Sequence, residues 1–292
     1  MPANQQEAKC PSQRTNPDSH GELTGSIRQR RTVIAVTVAI LFTTCGLVPV
    51  LLYFLLRYVA RLKLWIVLAI IASILGAGSV LALVRRIWRL VKADSTCRPP
   101  DTARYHLDYF QWNFLFGFIY IAVLLTVAVS IAYTLGDTSV RLVSLPLPLL
   151  TLQISSQLVL GSILVWLRAK YPFRVSSMAK GALVRPGAYT ILEDVVAVDG
   201  GQGLHFRQLL DNRYRSNRAL QALLQWTAWA WGLSGLGVSV VLLALIGSLT
   251  NKEISFVLGW SVPWVWVAVL TLLTYHFIFK TAQTCDERVA IA

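Results

Sequence analysis

Seven charged or titratable side chains fall between positions 193 and 213: Glu193, Asp194, Asp199, His205, Arg207, Asp211 and Arg213. Carboxylates beside an imidazole suit general acid–base chemistry or the holding of a cation. A guanidinium such as Arg207 or Arg213 suits a phosphate. Glu193, Asp194, Asp199, His205 and Arg207 are therefore the catalytic candidates. A plainer reading makes them the polar face of interfacial helices closed by a glycine turn at 199–203. A third makes the segment a contact surface for a lipid headgroup or a protein partner. Gly200, Gly201 and Gly203 imitate a phosphate loop only superficially: no glycine follows three positions after Gly203, and no strand clearly precedes it.

Elsewhere the chemistry thins out. Gln153, Ser155, Ser156 and Gln157 form a polar cluster that could line a path for a small-molecule transporter. Proton- and ion-coupled transporters usually carry an ionisable group inside the membrane. The one such residue here is His276, which reads as an interfacial histidine. His20, His106 and His205 lie outside the apolar stretches, so paired haem ligation and clustered di-iron histidines are excluded. No buried lysine is available for a retinal Schiff base. Lys180 stands too close to Arg185 and Pro186 for the first motif of phosphatidic-acid phosphatases, and their later motifs are missing. There is no Asp-Asp-x-x-Asp pair for magnesium–diphosphate chemistry. No cofactor and no metal site is expected.

Any such chemistry must be positioned by an unusual set of elements. The 292 residues are 55% hydrophobic and 14% charged, against about 25% charged in ordinary soluble domains. Six stretches carry no Asp, Glu, Lys or Arg: 32–56, 64–84, 109–136, 142–167, 219–251 and 254–279. A bilayer core needs about 20 apolar residues as helix, and each stretch reaches that length. This excludes a soluble globular enzyme, a disordered chain and a secreted disulfide scaffold. Unbroken apolar runs also argue against a membrane β-barrel, whose strands alternate. Cys10, Cys45, Cys97 and Cys285 form no CxxC pair.

The expected fold is an all-α membrane protein with six transmembrane helices: 32–56, 64–84, 114–135, 145–167, 226–249 and 255–279. Residues 1–31 read as a disordered tail, 32–279 as the transmembrane domain, and 280–292 as a second tail. Two large loops, about 85–113 and 168–224, join the spans on one side. Of the 27 basic residues, 22 fall in that side's segments and termini and five in the opposite loops. Positive charge marks the cytosolic side, so both termini and both large loops are expected in the cytosol. The bilayer and its anionic headgroups are then the natural partners of the +13 net charge, not nucleic acid. A protein partner at 168–224 is the further possibility.

Pro49 should kink the first span. Gly76 and Gly78 should let a neighbouring helix approach the second closely. Arg85 to Lys92 should extend the second helix beyond the headgroups. Residues from Arg104 to Asn113, with Tyr105, Tyr109 and Trp112, should anchor the third span at the interface. Helical rather than strand spacing is preferred for 187–199, and an amphipathic helix for 204–214, with Ser216 capping the helix that follows.

The run from Arg185, Pro186 and Gly187 through Tyr189, Thr190, Glu193, Asp194 and Val195 to Asp199, Gly200 and Gly201, then Phe206 and Arg207, resembles a segment in a family of uncharacterised fungal multi-pass integral membrane proteins. The aromatic run Tyr105 to Asn113 is similar to part of that pattern. The resemblance covers about 100–285. It implies a fungal origin and brings no established activity or catalytic residues. Some such fungal proteins are encoded near secondary-metabolite genes. The leading expectation is an accessory membrane component of a secondary-metabolite or lipid pathway. The alternatives are a membrane enzyme acting on an amphiphilic, isoprenoid or lipid-like substrate, and a transporter not coupled through intramembrane charges.

Overall fold

The computed structural model describes residues 43–100, 102–135 and 140–291, leaving aside the side chains of residues 44, 45 and 277–291. Two compact units divide the chain, Met1–Thr44 and Cys45–Ala292, and the second holds every helix from Val48 onward. Among the described residues the regular elements are helices, with two isolated β-bridges, Lys170 to Leu183 and Val175 to Met178.

Helix α1, Val48–Phe54, lies between π-helical turns at Thr43–Leu47 and Leu55–Val59. It is followed by α2 (Leu64–Val91), α3 (Tyr109–Leu135), the short α4 (Val140–Val143), α5 (Pro146–Trp166), α6 (Gly187–Asp194), α7 (Gly203–Ser216), α8 (Arg218–Ser248) and α9 (Lys252–Ile291). Five helices are long and apolar enough to cross a membrane: α2, α3, α5, α8 and the Lys252–His276 part of α9. By length and composition the chain is a multi-pass membrane protein. The first expected span, 32–56, falls partly outside the described residues. Its described part changes from π-turn to α-helix just before Pro49, which stands in the first turn of α1.

The polar residues at the helix ends set the boundaries. Helix α2 runs beyond its apolar stretch to Val91, as its basic tail suggests. Helix α8 starts at Arg218, capped by Asn217, whose side chain accepts a hydrogen bond from the Leu220 amide at 3.1 Å. Ser216 does not take that role. It closes α7 and donates to the Asn212 carbonyl, whereas Asn217 has the extended backbone that a cap requires. Helix α4 has no counterpart in the sequence reading. The Val143 carbonyl at its end accepts from Trp260 Nε1 at 2.9 Å, and Arg141 donates to the Leu249 carbonyl at 2.6 Å.

Two apolar cores result. One joins Leu64, Val67, Leu68 and Ile71 of α2 to Leu125, Ala128 and Ala132 of α3, with Phe256 and Trp260 of α9. The other, at the opposite end of the helices, gathers Met178, Tyr189, Phe206, Leu210 and Leu224. Close helix approach occurs between α5 and α8. A Cβ on Gly232 would stand 2.8 Å from Val159, and one on Gly235 would meet the Ser155 hydroxyl. Gly76 and Gly78 do not serve that purpose: nothing lies within 4 Å of a Cβ built on either. Helix α2 is open along this stretch.

Candidate functional site

The nominated residues run from the end of α6, Glu193 and Asp194, through Asp199 to His205 and Arg207 of α7. The chain continues helically as a π-turn, Val195–Asp199, and then reverses. Gly201 and Gly203 take positive φ, 67° and 60°, a region that side chains other than glycine resist. At Gly203 a Cβ would also lie 2.7 Å from the Thr96 carbonyl oxygen. That carbonyl accepts the Leu204 amide at 2.7 Å and so pins the start of α7. The reversal lays α7 back on α6. It places Arg207 against Glu193 and Asp194.

Arg207 is 2% exposed and Glu193 and Asp194 are fully buried. Its Nη1 donates to Glu193 Oε1 at 3.0 Å and to Asp194 Oδ1 at 2.8 Å, and its Nη2 to the Cys97 carbonyl at 3.3 Å. A second arginine, Arg86 on α2, completes the cluster. It donates to Asp108 at 2.8 Å, to the Asp194 carbonyl at 3.1 Å and to Asp199, and lies 4.5 Å over the Phe110 ring. Asp108 Oδ1 accepts the Gln111 amide at 2.8 Å and so caps α3. Asp194 Oδ2 accepts the Phe110 amide at 3.2 Å and the Ser176 hydroxyl at 2.6 Å. Two carboxylates thus sit at the N-terminus of α3, where the helix dipole favours negative charge.

Four carboxylates face two guanidinium groups here. Burial, reinforced by the charge of Asp194, pushes Asp108 up to about 6 despite Arg86, the Gln111 amide and Arg207. Burial likewise raises Glu193, against the pull of Arg207. It raises Asp199 too, against the opposing charges of Arg86 and Arg89. An excess of buried acid holds protons rather than leaving every carboxylate charged. Among the described residues no three His, Cys, Asp or Glu side chains are grouped to hold a metal ion.

Of the five nominated residues, Glu193, Asp194 and Arg207 come together. Asp199 joins at the rim, its side chain 46% exposed. His205 does not join: it faces outward on α7. Glu193 and Asp194 of α6 and Arg207 of α7 are buried as deeply as Tyr189 and Phe206 on the same helices. The sequence reading missed Arg86, Asp108 and Ser176 as partners. Arg86 carried a signal, because it stands three and four residues from Leu83 and Leu90 on the buried stripe of α2. Ser176, with φ of 46° and both donor and acceptor engaged, carried none.

Two cavities lie nearby. One, of about 450 Å³, is bounded by Tyr109, Trp112, Asn113, Gln157, Arg174 and Ser176. The other, of about 590 Å³, lies between α2, α3, α5 and α9 and is lined chiefly by apolar side chains. The family described as a domain of unknown function (DUF8766) matches residues 9–287. The chain belongs to this family. No curated protein and no solved structure matches the chain. The matched range takes in both cavities and the whole ionic cluster. Membership brings no activity with it, so function has to be argued from the geometry.

That geometry separates the two features. Each carboxylate in the cluster already accepts from an arginine or an amide, and the smaller cavity stops at Ser176, one hydroxyl short of Asp194. The larger cavity lines its walls with Ala72, Leu75, Phe118, Ile121, Leu147 and Trp264. Gly76 opens onto it without a side chain. The cluster binds protein to protein; the cavity is space that protein leaves unfilled.

Proposed function

We propose that this is a six-span membrane protein that holds a lipid-like molecule between its spans, as an accessory component of a lipid or secondary-metabolite pathway. The cavity between α2, α3, α5 and α9 carries the reading. Its volume of about 590 Å³ falls within the roughly 300–1,000 Å³ of small-molecule sites. No charged residue lines it, which suits an apolar occupant drawn from the bilayer. The first span is 32–56. The basic end, with the loops 85–113 and 168–224 and both termini, is cytosolic by its excess of Lys and Arg. There the folded 168–224 segment offers a surface to headgroups or to a protein partner.

A catalytic role for Glu193, Asp194, Asp199, His205 and Arg207 has less support. The acids are paired with Arg207, and the imidazole stands apart from them.

Gly76→Leu tests the reading. A Cβ there meets nothing within 4 Å, so leucine should extend into the cavity, take up part of it and gain about 1 kcal/mol of helix propensity. The purified protein in phosphatidylcholine nanodiscs is irradiated with a diazirine-bearing C16 lipid probe. Labelled peptides from α2 and α3 should be abundant in the wild type and clearly reduced in Gly76→Leu. Equal labelling of the two proteins would refute the assignment.

A further inference from the structure

The smaller cavity, of about 450 Å³, takes its wall from one stripe of α3, from Gln157 of α5 and from the loop after α5. Tyr109, Trp112, Asn113 and Phe116 follow the spacing of a single helix face, and all four line it. The larger cavity uses another face of the same helix, with Phe114, Gly117, Phe118 and Ile121. The wall is held by its own bonds. The Tyr109 amide donates to Ser176 Oγ at 3.0 Å, and the Tyr109 hydroxyl to Gln157 Oε1 at 2.6 Å. Arg174 donates through Nε to the Ser176 carbonyl at 3.2 Å and through Nη2 to the Pro100 carbonyl.

These bonds leave a wall with unused N–H groups. The Ser176 proton is spent on Asp194 at 2.6 Å and the Tyr109 proton on Gln157. Asn113 gives one amide N–H to the Tyr109 carbonyl at 3.1 Å and keeps the other. Among the described residues no hydrogen bond engages Gln157 Nε2, the Trp112 ring N–H or the His106 imidazole, all of which line the cavity. Spare lone pairs remain on Tyr109, Asn113, Gln157 and Ser176, so hydrogen bonding alone admits several kinds of head. Charge decides between them. Arg174 carries a permanent positive charge in the wall, and no carboxylate is among the lining residues. Asp194, behind Ser176, is turned to Arg207 at 2.8 Å. The rest of the wall is aromatic and open: Trp112 is 57%, Phe116 62% and Phe173 66% exposed.

We infer that the smaller cavity binds an anionic amphiphile, with its carboxylate or phosphate head against Arg174, Gln157 and Asn113 and its hydrocarbon chain along Trp112, Phe116 and Phe173. A guanidinium with neighbouring N–H groups suits either head. A cationic head meets Arg174 without a carboxylate to offset it. A neutral head meets the N–H groups but forgoes the guanidinium. A small soluble anion leaves the three aromatic rings uncovered. This site is separate from the lipid site proposed in the larger cavity and does not depend on it.

Diazirine probes in phosphatidylcholine nanodiscs test it at about pH 8.5, where an acid head is ionised. Four share one long chain: a carboxylic acid, an alkyl phosphate, a methyl ester and an amine. A fifth is a short-chain acid. The readout is labelling of peptides that contain 109–116 and 171–176. In the wild type one or both long-chain anions should exceed the ester by about tenfold, the lower range of one charge-assisted hydrogen bond, and the amine and the short-chain acid should trail. Gln157→Glu keeps an acceptor for the Tyr109 hydroxyl and replaces the free N–H groups with a negative oxygen. The anions should fall to the level of the ester and the amine should rise above it, with unchanged ester labelling as the check on folding. Arg174→Lys should keep the preference for anions and Arg174→Gln should lose it. Gly76→Leu should leave this labelling unchanged, whatever it does at the larger cavity. Neither anion exceeding the ester in the wild type, a short-chain acid that labels as well as the long one, or an anion preference that survives Gln157→Glu would each overturn the inference.

Discussion

Replacing Arg207 with methionine removes the guanidinium that Glu193 and Asp194 share and keeps most of the apolar stem. The two ion pairs, at 3.0 and 2.8 Å, are each worth about 4 kcal/mol gross, for charges about 4 Å apart at an effective dielectric of about 20. Returning the guanidinium to water offsets several kcal/mol of that. The net cost should be about 3–5 kcal/mol, the range for breaking one side of a buried pair. Its pH dependence is the sharper test. Asp108, at about 6, binds its proton more tightly folded than unfolded. Wild-type stability therefore falls as pH rises from the ordinary carboxylate range to about 6, and is flat with respect to this group above it. Arg207 lowers both Asp108 and Glu193. Without it both move further up, so the variant should keep losing stability through pH 7, by about 1.4 kcal/mol per pH unit for each carboxylate held protonated in the fold. Equilibrium unfolding in mild detergent, followed by tryptophan fluorescence from about pH 4 to 8.5, reads both curves across both windows. Adding Glu193→Gln to Arg207→Met should recover part of the loss at the alkaline end. A penalty that is independent of pH, or no recovery in the double variant, would show that the cluster is not held by charge balance.

Gly203→Ala should destabilise more than Gly201→Ala in the same unfolding assay: both lose about 1–2 kcal/mol to a positive φ, but only at Gly203 does the new Cβ meet the Thr96 carbonyl oxygen. His205→Ala should leave abundance, unfolding and metabolite profile unchanged, because the imidazole is exposed and outside the cluster; a deletion-like metabolite profile at normal abundance would restore the catalytic reading. A single cysteine at position 202 should resist an impermeant maleimide in intact cells and react after permeabilisation; labelling from outside would reverse the proposed topology.

The long apolar helices were legible because lack of charge over about 20 or more residues is a local property of the chain. The helical character of 187–199 and the break at Gly200–Gly203 were legible for the same reason: spacing and glycine content act within a few residues. The boundary at α8 was misplaced by one residue, Ser216 for Asn217, since either side chain can cap and only the backbone decides. What could not be read was pairing at a distance. Arg86 and Asp108 are 22 residues apart, and Arg86 and Asp194 are separated by 108. No periodicity joins them. Gly76 shows the limit in the other direction: a glycine in a membrane helix announces missing volume, and whether a helix or empty space takes that volume depends on where the neighbouring helix is held.

The ionic cluster governs that spacing through α2. The buried residues of α2 fall in two groups, Leu64 to Ile71 at one end and Leu83, Arg86 and Leu90 at the other. On α3 the first group meets Leu125, Ala128 and Ala132, and the second meets Asp108 through Arg86. Helices α2 and α3 are thus fastened twice, by hydrocarbon at one end and by charge at the other. Between the fastenings α2 presents Ala72, Ser73, Gly76 and Ser79 to the cavity, side chains too small to close the gap. Gly76 and Arg86 are ten residues apart, about 15 Å of helix. Glu193, Asp194 and Arg207 reach the membrane part of the protein through this geometry: they hold Arg86 and Asp108, which set the distance between the two helices that wall the site.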